Sequence, residues 1–245
     1  MAKRKTAKRD TTPTKPHIYR HFNAWSFSRL SDYDQKRGGC PRYAAWKHLA
    51  RLPTEGGPAM ARGEQIHKAA EKIVLGKLRK VPAELVSVRP VLAQLQKLKR
   101  RVHTEALWGF DRDWRPCAWD DWSRCWLRVK MDVHYLVLRA PVLEMIDWKS
   151  GRPKPDEHKE QLKLYGVTGL RRFESIERAH GVLHYTDHKG VAEELTVPRR
   201  DEKKLMKYWE AQVKPLFNDR RYAPAPGPRC RYCDYSKAKG GACEY

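Results

Sequence analysis

Hydrophobic positions in the first hundred residues recur at intervals of three and four, the spacing that places side chains on one face of a helix. The pattern predicts helices over residues 26–35, 41–49, 59–78 and 88–101. A stretch rich in Pro and Gly, from Pro53 to Pro58, predicts a loop between the second and third helices. The first third of the chain is therefore predicted to be helical.

The pattern then changes to short runs of β-branched and aromatic residues, which are typical of strands. Residues 125–138 predict a hairpin that turns at Met131-Asp132. The other runs predict strands at 103–108, 142–148, 181–185 and 191–197, with helices at 156–172 and 201–217. This order of helices and strands predicts an α/β fold, with a central mixed sheet flanked by helices and an N-terminal helical region.

Charge narrows the class of partner. The 245 residues include 51 Lys and Arg against 29 Asp and Glu, so the formal net charge is +22. Such an excess predicts a polyanionic partner, while 40% hydrophobic residues still allow a sizeable core. Residues 1–16 are basic and contain almost nothing apolar, which predicts a disordered basic arm.

The sequence disfavours several other classes of protein. No stretch approaches the roughly 20 apolar residues of a membrane span, so no membrane partner is expected. No apolar segment follows the basic N-terminus, which argues against secretion and predicts a cytoplasmic location. The absence of a P-loop and of a G-x-S-x-G elbow disfavours an ATPase and a serine hydrolase.

Two acidic residues accompany the predicted strands. Asp132 lies in the predicted hairpin, and Asp147 lies at the end of the next strand, two residues before Lys149. Carboxylates of adjacent strands can converge on a hard divalent cation, and Lys149 shares the face of Asp147. Such a site suits metal-assisted phosphodiester hydrolysis. A D-x-K triplet alone is also compatible with a solvated strand face, but this strand is largely apolar, so its charges need a partner.

Aromatic residues are concentrated between the first predicted strands. Five tryptophans there are interleaved with charged residues: Trp108, Trp114, Trp119, Trp122 and Trp126. Beside arginines they could stack unpaired bases along a single-strand groove. They could equally form a core under the sheet, and the sequence leaves both interpretations open.

Three of the six cysteines lie in the last sixteen residues, namely Cys230, Cys233 and Cys243. Reducing compartments disfavour disulfides, so clustered cysteines in an intracellular chain favour metal or cluster ligation. Cys117 and Cys125 lie among the tryptophans and are interpreted as packing residues.

These residues resemble the PD-(D/E)XK nuclease superfamily, and within it the RecB-like, Cas4-like branch that includes phage-type exonucleases. Taken singly, His67 and Tyr165 are each compatible with core packing, but the motifs occur together in the order of that branch. They are Gly63-x-x-x-His67, the strand acid Glu105, Asp132, Asp147-x-Lys149 and Gln161-x-x-x-Tyr165.

The resemblance implies a role for each motif. His67, Asp132, Asp147 and the main-chain carbonyl of Trp148 would bind Mg²⁺ or Mn²⁺. Lys149 would assist the attacking water.

The Gln and the Tyr of the last motif, Gln161 and Tyr165, would position the substrate, and their spacing places them on one face of a helix.

The same resemblance implies an iron–sulfur staple that uses cysteines from both ends of the chain. Cys40 would join the C-terminal Cys230, Cys233 and Cys243 to hold a [4Fe-4S] cluster with a structural role. The nine residues between Cys233 and Cys243 exceed the usual spacing in the branch. A structural Zn²⁺ therefore remains an alternative.

The implied fold is restriction-endonuclease-like. One nuclease domain would span residues 17–245, with a helical part at 17–102, a catalytic α/β core at 103–222 and a Cys-rich segment at 223–245 joined to Cys40.

The implied function is a metal-dependent DNA nuclease, specifically an exonuclease that leaves 5′-phosphate and 3′-hydroxyl ends on single strands or duplex ends. It would act in recombination, repair or phage DNA processing, in a bacterial or phage-infected cell, with recombination or CRISPR proteins as partners. The alternatives are a CRISPR-adaptation nuclease and a non-catalytic DNA-binding or regulatory protein that retains the fold. The sequence predicts no oligomeric state.

Overall fold

The computed structural model describes residues 20–189 and 191–245, and the predicted basic arm at 1–16 lies outside the described residues. The described chain divides into two compact units. The sheet unit comprises Phe22–Leu30 and Gly56–Asn218. The cysteine unit comprises Ser31–Glu55 and Asp219–Tyr245 with residues 20 and 21.

The secondary structure follows the predicted alternation closely. The helices are α1 (Phe27–Tyr33), α2 (Pro41–His48), α3 (Pro58–Val74), α4 (Arg89–Leu98), α5 (Pro155–Arg172) and α6 (Glu202–Asn218). The strands are β1 (His103–Phe110), β2 (Pro116–Cys117), β3 (Leu127–Leu136), β4 (Val142–Lys149), β5 (Arg178–Tyr185) and β6 (Ala192–Pro198).

Six strands form one sheet in the order β2-β1-β3-β4-β5-β6, in which only β4 and β5 run parallel. The predicted restriction-endonuclease-like α/β fold with a mixed sheet is thereby confirmed. The predicted hairpin at Met131-Asp132 is wrong, because β3 runs unbroken through both residues and the turn to β4 lies at 137–141. β3 pairs with β1 both before and after these residues, from Leu127 to His134, so a turn there would leave buried backbone groups unpaired.

The parallel pair β4 and β5 is connected by α5, which packs against one face of the sheet. Such a crossover is needed because parallel strands cannot be joined by a tight turn. Two glycines let α5 approach closely: a Cβ on Gly166 would lie 2.3 Å from Val197 Cγ2, and one on Gly169 would lie 2.5 Å from Leu143 Cδ2. Only a residue without a side chain fits at these contacts.

The opposite face of the sheet is covered by α3 and α4. Alternate residues of the central strands, including Val133, Ile146 and Trp148, pack there with Ile66 and Leu92 in one buried cluster. The sheet therefore has helices on both faces. Among the helices of the described residues, none is long and apolar enough to cross a membrane.

In the cysteine unit, one carboxylate connects helix α2 with the C-terminal segment. Asp32 lies 2.9 Å from Lys47 Nζ, 3.0 Å from His48 Nε2 and 2.9 Å from Arg229 Nη2. Burial alone would raise the pKa of Asp32, but the hydrogen bonds of these partners hold it well below its usual range. This cluster therefore fixes the segment that carries Cys230 relative to α2.

Substitution by Ala should change the free energy of unfolding in opposite directions at Gly166 of α5, which is closely packed, and at Gly63 of α3, which is not. Gly166→Ala should lower the free energy of unfolding by about 1–3 kcal/mol, because the new methyl group overlaps Val197. The measurement is urea-induced unfolding followed by circular dichroism.

Gly63→Ala is the matched control within α3. The nearest atom to its new Cβ would be Ser150 Oγ at 3.4 Å, an ordinary contact. This substitution should raise the free energy of unfolding by about 0.5–1 kcal/mol, because Ala loses less backbone entropy than Gly. Equal effects of the two substitutions would contradict the packing of α5.

Candidate active site

The central strands are held open around Asp132. The antiparallel register places Glu105 of β1 opposite Asp132 of β3, at a gap in the ladder between two regular pairs. On the other side the β3–β4 ladder ends at Val133–Ile146, so Asp132 and Asp147 lie just beyond its last pair. Both gaps free backbone groups and leave room between strands for side-chain chemistry.

The gap between β1 and β3 coincides with a strained backbone. Glu105 has φ +52°, in the left-handed region, which costs a residue with a Cβ roughly 1–2 kcal/mol. Such outliers persist only where the surrounding structure holds them, and they are concentrated at functional sites.

Helix α3 supplies a histidine to this gap. Ile66 and Ala70 face the core, and His67 beside them places Nδ1 3.1 Å from Asp132 Oδ1. Burial would lower the pKa of His67, but the hydrogen bond and charge of Asp132 outweigh burial and raise it. Ligand atoms of His67, Glu105 and Asp132 all lie within 4.8 Å of one another.

Asp132 is almost completely buried, with 7% of its surface exposed. Its Oδ2 accepts a hydrogen bond of 2.9 Å from the main-chain N–H of Trp148. Burial, and then the charge of Asp147, raise the pKa of Asp132. The structure thus brings Trp148 to the site through its N–H group, while metal binding by its carbonyl stays a prediction.

The predicted D-x-K and Q-x-x-x-Y motifs meet at Asp147. Lys149 Nζ lies 2.6 Å from Asp147 Oδ2, and the Tyr165 hydroxyl donates to Asp147 Oδ1 at 3.1 Å. Gln161 Nε2 in turn donates to the Tyr165 oxygen at 2.6 Å. Burial and the charges of Asp147 and Asp132 raise the pKa of Tyr165 well above its usual value, so its hydroxyl remains a donor.

The donor set fits a hard divalent cation. Asp147 Oδ2 is buried and has no hydrogen-bond partner among the described residues, since the close Lys149 ammonium lies outside hydrogen-bond geometry. Carboxylate oxygens suit Mg²⁺ or Mn²⁺. The group within 4.8 Å contains His67, Asp132 and Glu105 but not Asp147. Glu105 therefore joins the candidate ligands, and Asp147 lies closest to Lys149 and Tyr165.

A second layer of contacts braces the turn after Lys149. Asp187 accepts two hydrogen bonds from Arg62 of α3, at 2.8 and 2.6 Å, and one of 2.8 Å from the N–H of Gly151. The hydrogen bonds from Arg62 and Gly151 lower the pKa of Asp187 to about 2. Sequence patterns did not reveal this brace, because its members lie far apart in the chain.

His158 lies on α5 three residues before Gln161 and is a further titratable residue that the sequence motifs do not include. Its Nδ1 lies 2.7 Å from the Tyr185 hydroxyl. Burial and then the positive charge of Lys149 lower the pKa of His158. The spacing of three and seven residues from Gln161 and Tyr165 is the signal that could have indicated it.

The structure divides the five tryptophans between the two interpretations left open. Trp108, Trp114 and Trp126 are buried, as expected of a core, whereas Trp119 is half-buried and Trp122 is 59% exposed. The two mid-chain cysteines are free; Cys125 is buried and Cys117 half-buried.

The four remaining cysteines line one cavity in the cysteine unit. Cys40, Cys230, Cys233 and Cys243 line one pocket that is partly open to solvent. None of them forms a disulfide. The N–H of Ala225 donates to Cys40 Sγ at 3.4 Å. The donor set fits a group that binds four thiolates.

The fold and the acidic site define a restriction-endonuclease-like α/β protein. The sequence matches the profile of the PD-(D/E)XK nuclease superfamily over residues 24–238, and the chain belongs to this superfamily. Its nucleases use divalent metal ions. The match does not specify a branch, so the RecB-like, Cas4-like assignment stays a prediction. No curated protein matches the chain by sequence.

Three solved structures are similar to this chain. One is a protein from Eubacterium rectale with the provisional name of exonuclease, at 11% identity and TM-score 0.51, covering 86% of this chain and 87% of that one. SSO0001 has 16% identity and TM-score 0.44 over 89% and 86%. LHK-Exo, solved in complex with dAMP, has 14% identity and TM-score 0.41 over 80% and 86%. At 11% identity, the similarity to the Eubacterium rectale protein supports the fold alone.

The raised pKa of Asp132 predicts that Asp132→Asn stabilises the metal-free protein. The ionised side chain is penalised by burial, so stability in EDTA should fall as pH rises from the unfolded pKa of 3.8 through the raised folded value. At pH 7.5 the variant should gain about 1 kcal/mol, measured by thermal unfolding. The gain should shrink toward pH 4.

Added metal should make the wild type more stable than Asp132→Asn. Mg²⁺ or Mn²⁺ at about 100 times its Kd should stabilise the wild type by about 2.7 kcal/mol and leave Asp132→Asn unchanged. Asp120→Asn removes a charge from an exposed turn and should respond to metal as the wild type does. Equal metal responses of Asp132→Asn and the wild type would rule out Asp132 as a ligand.

Proposed function

We propose that the protein is an Mg²⁺- or Mn²⁺-dependent deoxyribonuclease that acts as an exonuclease on single strands or duplex ends. The observation that carries the proposal is the convergence of His67, Glu105 and Asp132 next to the buried Asp147–Lys149 pair. The products would carry 5′-phosphate and 3′-hydroxyl ends. Recombination, repair or phage DNA processing is the context that we propose for it.

His67, Asp132 and Asp147, with Glu105 and the Trp148 carbonyl, would hold the metal. When bound, the metal would polarise the scissile phosphate and lower the pKa of a bound water. These carboxylates would repel a phosphate unless a cation lay between them. An acidic site in a chain of net charge +22 is therefore consistent with a bound metal and a phosphate substrate.

Lys149 would orient the attacking water and stabilise charge that develops on the phosphate. Its side chain is 23% exposed, and its ammonium lies against Asp147. Tyr165 holds Asp147 through its hydroxyl, and Gln161 holds Tyr165. These contacts fix the orientation of Asp147, while the free donors of Gln161 can contact substrate.

The nuclease proposal predicts a large loss of activity in two variants. Lys149→Ala and Asp132→Asn should each lower the rate of DNA degradation by about 10²–10³-fold, the scale for removing one electrostatic contribution to a transition state. The assay uses single-stranded and duplex DNA labelled at both ends, with Mg²⁺, Mn²⁺ or EDTA. It reports activity, polarity and strand preference together.

Lys163→Ala is the control, because Lys163 lies on α5, the helix that carries Gln161 and Tyr165, but pairs with Glu160 instead of the site. It should retain activity. The enzyme proposal fails if the wild-type protein cuts nothing with its cysteine site intact, or if Lys149→Ala cuts as fast as wild type. In that case a non-catalytic DNA-binding protein would be the better description.

We further propose that Cys40, Cys230, Cys233 and Cys243 bind a [4Fe-4S] cluster with a structural role. Four thiols that line one pocket support it, because a [4Fe-4S] cluster is bound by four cysteine thiolates. Arg42 and Arg229 also line the cavity and complement the negative charge of thiolate ligands.

The cluster proposal predicts a brown protein after anaerobic purification, with broad visible absorbance and about four iron and four sulfide per chain. Cys40→Ser should lose the absorbance and lower the melting temperature. Cys117→Ser should keep both, because Cys117 lies in the sheet unit. A colourless wild-type protein with stoichiometric zinc would establish the alternative metal.

A further inference from the structure

An exposed tryptophan of the sheet unit contacts β3, the strand that carries Asp132. Trp122 is 59% exposed, the most exposed tryptophan among the described residues. Its ring stacks on the guanidinium of Arg128, which lies 3.6 Å from the ring centroid. Because the guanidinium covers one face of the ring, the exposed surface includes the other face.

The loop that carries Trp122 is held in place by its own hydrogen bonds. Asp121 Oδ1 accepts from the N–H and the hydroxyl of Ser123 and from the N–H of Arg124. Its carbonyl also accepts from the Cys125 N–H at 2.8 Å. The ring is therefore presented in a fixed position, which lowers the entropic cost of binding to it.

Arg128, which lies beneath this ring, is unusual because its charged side chain is buried. It is 5% exposed, and Nε donates to the Trp119 carbonyl at 2.9 Å. Its Nη2 is buried without a hydrogen-bond partner among the described residues. A buried charge with an unused donor favours a nearby anion, and the stacked ring gains from the cation beneath it.

The stacked pair is continuous with the candidate active site. Arg128, Lys130 and Asp132 alternate along β3, and Lys130 pairs with Glu105. Leu107, half exposed, lies opposite Lys130 on β1. Four residues of strand span about 13 Å, the length of about four stacked nucleotides. Cationic, apolar and aromatic groups therefore follow one another away from the catalytic carboxylates.

We propose that Trp122, backed by Arg128, is a stacking platform for one unpaired base of the DNA strand whose backbone passes Lys130 into the active site. The inference rests on the proposed nuclease function and names its substrate as a strand with an unpaired end. A tryptophan face binds any base, but only when that base is free of its partner. The site therefore selects single strands or frayed ends without reading sequence.

The test measures binding without turnover. A 12-nucleotide oligothymidylate labelled with fluorescein is titrated in EDTA and followed by fluorescence anisotropy. Trp122→Ala should raise Kd by about 5- to 100-fold, and Trp122→Phe should stay within a few-fold of wild type because a ring remains. Leu138→Ala removes another exposed apolar side chain, beyond the far end of β3, and should not change Kd.

Abasic sites separate stacking from other effects. Oligonucleotides with one abasic position are scanned, and one position should weaken binding to the wild type but leave the Kd of Trp122→Ala unchanged. Binding of a blunt duplex, and the slope of log Kd against log salt, should be unchanged in Trp122→Ala. Circular dichroism and the melting temperature verify that the variants fold.

Unchanged single-strand binding by Trp122→Ala would overturn the proposal. Equal weakening on single strands and blunt duplex would also overturn it, as would the absence of any abasic position whose effect disappears in the variant. The outcome is independent of the nuclease assay. If Lys149→Ala cuts normally, the catalytic proposal fails while the platform stands, and if Trp122→Ala binds normally, the platform fails while catalysis stands.

Discussion

Two acidic side chains are buried side by side in the middle of a sheet, and the rest of this structure depends on that burial. Asp132 and Asp147 are 7% and 3% exposed. An ionised carboxylate is costly to remove from water unless donors or cations surround it. Neighbouring elements supply these groups: α3 supplies His67, β4 the Trp148 N–H and Lys149, and α5 the Tyr165 hydroxyl.

The same burial explains where the structure departs from ordinary local rules. The ladder is interrupted on one side of Asp132 and ends on the other, and Glu105 adopts a strained conformation opposite it. Helix α5 approaches the sheet through Gly166 and Gly169, which lets the Tyr165 hydroxyl reach Asp147. Regular packing elsewhere in the sheet unit offsets this strain, as is usual at functional sites.

Charge is distributed in a way that fits a phosphate substrate. The chain carries a net charge of +22, yet the candidate site contains three carboxylates that a phosphate can approach only with a cation between them. Lys130 and Arg128 continue from this site along β3, so the local charge changes sign within a few residues. The cysteine unit also contains a partly buried charge cluster, in which the Asp32 carboxylate is surrounded by three basic side chains.

The sequence alone determined the order of most helices and strands, the α/β class and the superfamily, and it proposed most residues of the candidate site, because hydrophobic periodicity and short motifs are local signals. The contacts of Asp147 with Lys149 and of Gln161 with Tyr165 also follow from local spacing. Only the tertiary structure decided that β3 continues through Asp132, because that depends on pairing with β1, a distant segment, before and after this residue. It also brought Glu105 to His67 and placed Trp122 over Arg128, since contacts between distant segments leave no periodic trace in a single sequence.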